Sequence, residues 1–103
     1  MKELSQEEWR KQISNDDNAV ILDVRTELEV EEGYIPEAKN IDIYKGQEFL
    51  QELDKLDKEK NYYVYCRSGA RSAQACNLMD QKGFKQTYNL IGGFSQWEGE
   101  KAE

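Results

Sequence analysis

One short stretch of this chain gathers residue types that can do chemistry together: Cys66, Arg67, Ser68, Gly69, Ala70, Arg71 and Ser72, directly after the run Asn61-Tyr62-Tyr63-Val64-Tyr65. That chemistry is nucleophilic and anionic. A thiolate is a strong nucleophile, a glycine lets the backbone turn tightly around it, and consecutive N–H groups in such a turn can converge on one negative atom. A helix starting after the turn adds the positive end of its dipole, and Arg67 and Arg71 add formal charge. The same spacing suits a plainer reading, in which Cys66 is a small buried apolar residue and the arginines are solvated at a helix start. The loop alone fits both.

Histidine is absent from the whole chain. This removes the Cys-His and Ser-His-Asp pairings and the commonest metal ligand, so a nucleophile here is activated without an imidazole. The second cysteine, Cys76, falls on a helical stripe with Ala75 and Met79, which reads as core packing. A disulfide needs Cα atoms within ~7 Å, and a residue deep in the following helix does not offer that to Cys66. Two cysteines in a chain of this composition read as thiols in a reducing compartment.

The elements that must hold the loop follow from pattern. Asn61 to Cys66 is an almost continuous β-forming run, as in a strand buried on both faces, and Ala19 to Val24 (Ala-Val-Ile-Leu-Asp-Val) is a second. Ser5, three residues before Glu8, has capping-box spacing, and Leu4, Trp9 and Ile13 stand apolar among charges, which predicts a short amphipathic helix. A helical turn is expected over Thr26 to Glu32, stopped by Gly33, then a turn around Pro36 and a short strand near Lys39 to Ile41. Phe49, Leu50, Leu53 and Leu56 share one face of a crossover helix. The helix after the loop ends at Gly83, and the last segment supplies one more strand and a short helix with Phe94 and Trp97. Strands and helices alternate, which argues for a parallel or mostly parallel sheet with helices on both faces. In such sheets ligands sit beyond the carboxyl ends of the strands, which puts Cys66 at the mouth.

Length and charge bound the partners. The 103 residues, 38% of them hydrophobic, make one domain over 1–103 with a modest core, and the formal net charge of −7 repels nucleic acid and acidic membranes. No apolar run approaches the ~20 residues of a membrane span, and the charged N-terminus lacks a signal-peptide core; a cytoplasmic chain is expected. The acidic runs around residues 29–37 and 51–60 read as solvated faces, and the remaining aromatics as core and rim.

Three segments in order, LDVRTELEVEEGYIPEAKNI at 22–41, CRSGARS at 66–72 and YNLIGGFSQW at 88–97, resemble the single-domain rhodanese family of sulfurtransferases. The resemblance spans most of the chain. It implies a three-layer α/β domain with a central, mostly parallel sheet of about five strands. It also implies that Cys66 takes a sulfane sulfur from thiosulfate or a persulfide donor, holds it as a persulfide, and passes it to cyanide or a thiol. Arg67, Ser68, Gly69, Ala70, Arg71 and Ser72 are then the substrate-binding loop, with the arginines meeting an anionic donor. No metal or organic cofactor is implied, and a thiol-bearing protein is among the acceptors such a reaction admits. Two positions depart from the family pattern: Tyr34 stands where histidine is usual and Glu37 where glycine is usual. We read both as structural. Asp23 and Arg25 are expected to anchor the sheet edge by ion pairing, and Phe94 and Trp97 to pack under the loop.

Two other readings remain beside this one. Cysteine phosphatases also close an arginine over a thiolate, but with five residues between cysteine and arginine, whereas four separate Cys66 from Arg71. The smaller loop suits one sulfur atom better than a tetrahedral phosphate, and no leaving-group acid is identifiable. A non-catalytic interaction module is the other; the intact Cys66 speaks against it.

Overall fold

The computed structural model describes all residues, Met1 to Glu103. Five parallel strands form one sheet: β1 (Lys2–Leu4), β2 (Ala19–Asp23), β3 (Lys39–Asn40), β4 (Asn61–Tyr65) and β5 (Gln86–Leu90), in the spatial order β1-β5-β4-β2-β3. Four α-helices connect them, α1 (Gln6–Ser14), α2 (Glu27–Glu31), α3 (Gln47–Asp54) and α4 (Ala70–Gln81), and 3-10 turns occur at Ile43–Lys45 and Phe94–Gln96. This is the expected three-layer α/β architecture.

β4 lies at the centre of the sheet, paired with β2 through Asp23↔Tyr65 and with β5 through Val64↔Asn89. Its alternate residues feed two separate cores, because successive strand side chains point to opposite faces. Tyr62, Val64 and Cys66 face one core with Phe49, Leu53, Ala75, Cys76 and Met79. Tyr63 and Tyr65 face the other with Trp9, Leu90 and Trp97. Both faces being buried is why the run shows no polar alternation.

Each helix flanking the loop is fixed by local chemistry. The capping box of Ser5 and Glu8 starts α1, as its spacing predicts, and the same device at Thr26 and Glu29 starts α2. α4 ends in a Schellman motif: Gly83 has φ 94°, and Phe84 N–H donates to Met79 O at 3.1 Å. Strand β1 was not anticipated. It is three residues long, and its partner is residues 88–90, so nothing local marks it.

Candidate active site

Where β4 hands over to α4 the chain curls around one atom, the sulfur of Cys66. Gly69 N–H donates to Sγ at 3.1 Å, and the Ser72 amide and hydroxyl both lie 3.4 Å away. Gly69 takes φ 107°, in the left-handed region that favours glycine, which turns its own N–H inward as it caps α4. Ala70, Arg71 and Ser72 form the first turn of that helix, where N–H groups have no intrahelical acceptor. The loop is thus an amide cradle ending on a helix dipole.

The cradle is held open from behind. Phe94 N–H donates to Cys66 O at 2.8 Å and Ser95 N–H to Arg67 O at 2.9 Å, so these two carbonyls point away from the sulfur. The contact is so close that a Cβ on Gly93 would stand 2.5 Å from Arg67 O and 2.6 Å from Cys66 O. Only glycine fits there. Asn89 of β5, itself buried, donates to Gly69 O at 3.2 Å and presents Oδ1 to the Ser72 hydroxyl. A serine hydroxyl has one proton, so Asn89, Gly69 O and the sulfur compete for it.

These contacts set the thiol's acidity. Burial pushes the Cys66 pKa up, but the Ser72 hydroxyl and the amides of Ser72, Gly69 and Ser68 outweigh it and leave the thiol below its ordinary value. Cys76 has no amide cradle: burial pushes its pKa up to about 12, against a single hydrogen bond from Thr87, and it sits in the core as expected.

The arginines are placed differently from expectation. Arg71 does not point free into the cradle. It forms a two-pronged ion pair with Glu29 of α2, at 2.7 and 2.8 Å, and lies over the Tyr44 ring at 5.3 Å. The Arg71 hydrogen bonds hold the Glu29 carboxyl at about 2, against burial. Arg67 is exposed and forms no ion pair; it lines a cleft of about 280 Å³ with Arg25, Glu29, Glu32, Phe94 and Ser95. Ser68 is exposed at the rim, whereas Ser72 is buried beneath the sulfur.

Asp23 and Arg25 do ion-pair, at 2.8 Å, and both are buried. They stand at the end of β2, an interior strand rather than the sheet edge. Arg25 reaches on to Gly33 O at 2.8 Å and stacks on Phe94 at 4.4 Å, tying three loops together behind the site. Phe94 therefore packs under the loop as expected. Trp97 does not: its ring meets Trp9 edge-on at 5.6 Å, and its indole N–H goes to Glu100 O. Tyr34 pairs through its backbone with Ala102.

Glu29 and Asn89 escaped sequence reasoning as parts of the site. Thr26 and Glu29 carry a readable capping-box spacing, which marks a helix start but not a partner 42 residues away. Nothing in the sequence marks Asn89.

Comparison with known proteins bears on this geometry. Residues 5–100 match the family described as Rhodanese-like domain. A Bacillus subtilis (strain 168) protein named "Putative sulfurtransferase YtwF" is 40% identical over 100 residues, 97% of this chain and 93% of that protein. "Thiosulfate sulfurtransferase GlpE" of Coxiella burnetii is 40% identical over 79 residues, 77% of this chain and 71% of the relative. Among solved structures, a rhodanese-like domain protein from Staphylococcus aureus superposes with a TM-score of 0.83 at 31% identity, covering 97% of this chain and 94% of that one. The chain belongs to the rhodanese-like family.

Proposed function

We propose that residues 1–103 act as a cytoplasmic sulfurtransferase in which Cys66 carries the sulfur. The thiolate attacks the outer sulfur of thiosulfate or a persulfide; a new S–S bond forms as the donor's S–S bond breaks, and sulfite or a thiol leaves with the electron pair. An acceptor, cyanide or the thiol of a small molecule or protein, then attacks the outer sulfur and restores the Cys66 thiolate. Ping-pong kinetics follow from this order.

The observation that carries the reading is the convergence of the Gly69 and Ser72 donors on one sulfur at the start of a helix. The Ser68 amide adds to them. A persulfide places its charge one atom further out, where the loop amides and Arg67 meet it. The relatives' names support the class of reaction. A phosphatase reading is disfavoured because the arginine that would close over an oxyanion, Arg71, is already held by Glu29.

Transfer of sulfur from thiosulfate to cyanide, followed as thiocyanate, tests this. Cys66→Ser abolishes it and Cys76→Ser keeps most of it. Equal loss in a folded Cys76→Ser protein would replace the single-cysteine scheme with one using a resolving thiol.

A further inference from the structure

Charge beside the loop is largely paired. Arg25, Arg67, Glu29 and Glu32 line one cleft, Asp23 pairs with Arg25 behind it, Arg71 of the loop pairs with Glu29, and Lys101 lies over the Phe94 ring at 5.4 Å. Two of the arginines are spent in close ion pairs, Arg25 with Asp23 and Arg71 with Glu29, both at hydrogen-bond distance. Arg67 alone has no such partner, and it shares its cleft with Glu32. The cradle stabilises one negative sulfur well, but little unbalanced positive charge remains for a second and third.

Donor chemistry differs in how much charge it brings. With thiosulfate the reacting assembly is Cys66–S⁻ plus S–SO₃²⁻, giving Cys66–S–S⁻ plus SO₃²⁻, and about three negative charges crowd the mouth throughout. With a protonated persulfide the assembly is Cys66–S⁻ plus R–S–SH, giving Cys66–S–SH plus R–S⁻. Only one negative charge is present, and the proton travels with the transferred sulfur.

Resting on the sulfurtransferase reading, we infer that Glu29 sets donor choice: by neutralising Arg71 it makes the site one for persulfide donors and disfavours thiosulfate. Glu29 acts through Arg71 and is a positioning residue. Its second task makes a clean test available. Glu29 Oε1 also accepts from the Thr26 N–H and hydroxyl, at 3.2 and 3.1 Å, as the N3 partner of a capping box. Glutamine serves equally at that position, so Glu29→Gln removes the charge while keeping the start of α2.

The experiment measures loading of Cys66, read as the gain of one sulfur atom by mass spectrometry of rapidly quenched samples. Thiosulfate and an alkyl persulfide with an uncharged alkyl group are the donors, and wild type, Glu29→Gln, Arg71→Ala and the double variant are the proteins. Wild type loads faster from the persulfide. In Glu29→Gln the thiosulfate-to-persulfide ratio of second-order rate constants rises roughly five- to tenfold, through tighter thiosulfate saturation, because one unbalanced cation is released beside the donor. Arg71→Ala lowers the ratio, and the double variant, which removes a neutral pair, returns to within about twofold of wild type. An unchanged or lower ratio in Glu29→Gln, or a double variant that keeps the full rise, overturns the assignment. Failure of both donors to load wild-type Cys66 overturns the sulfurtransferase reading itself, and with it the inference.

Discussion

Replacing Ser72 by alanine isolates the one side-chain donor in the cradle. Its hydroxyl stands 3.4 Å from the sulfur, and the backbone N–H groups of Gly69 and Ser72 are untouched by the change. A hydrogen bond to a charged group contributes about 1.5–3 kcal/mol, and the lower end applies here because the contact is long and the proton is contested. About 1.4 kcal/mol corresponds to a tenfold fall in thiolate population at any pH below the titration midpoint. A more basic thiolate is also a better nucleophile, with a Brønsted slope of ~0.4–0.5, which returns roughly threefold of that loss. The expected profile of iodoacetamide alkylation against pH therefore has a midpoint above the wild-type one. Its rates are roughly threefold lower on the acid limb and roughly threefold higher on the alkaline plateau, so the two curves cross. Cys76 stays silent, since burial holds its thiol neutral up to about 12. Superimposable curves, or a midpoint moved down, would refute the idea that Ser72 stabilises the thiolate.

Gly93→Ala places a methyl group 2.5 Å from Arg67 O at φ 59°, so we expect about 2 kcal/mol or more of destabilisation and a higher Cys66 titration midpoint. A variant as stable as wild type with the same titration would mean the loop is not buttressed from behind. Glu37 is the only non-glycine residue with positive φ, at 70°, and it is exposed. Glu37→Gly relieves a left-handed strain of about 1 kcal/mol, which raises the Tm by roughly 4–8 °C; an unchanged or lower Tm contradicts this. Arg67→Ala raises the donor KM more than it lowers kcat, because the side chain lines the cleft without contacting the sulfur; equal KM values would make Arg67 a bystander.

Much of the fold was legible because its signals are local. Capping-box spacing at Ser5 and Glu8, continuous apolar runs at Ala19–Asp23 and Asn61–Tyr65, and a C-terminal glycine at 83 each appear as expected. The reading of Glu37 also gained a physical reason, since a residue with φ 70° is where glycine would sit without strain. What escaped depends on distant pairing. β1 exists because residues 2–4 meet 88–90, and Trp97 leaves the loop because Trp9 offers an edge-on aromatic surface. In the site, cysteine, glycine and helix start could be assembled from one segment. The true state of Arg71 could not, because the carboxylate that occupies it comes from another element altogether. Charge near a cysteine was readable; whether that charge was already balanced was not.

The central claim is that Cys66 alone accepts a sulfur atom. Intact-mass measurement after incubation with an alkyl persulfide or thiosulfate tests it most directly, on wild type, Cys66→Ser and Cys76→Ser. The account predicts a gain of one sulfur atom on wild type and Cys76→Ser, removed by a thiol reductant, and none on Cys66→Ser. Wild-type protein that gains no sulfur from either donor, or Cys66→Ser protein that still does, contradicts it.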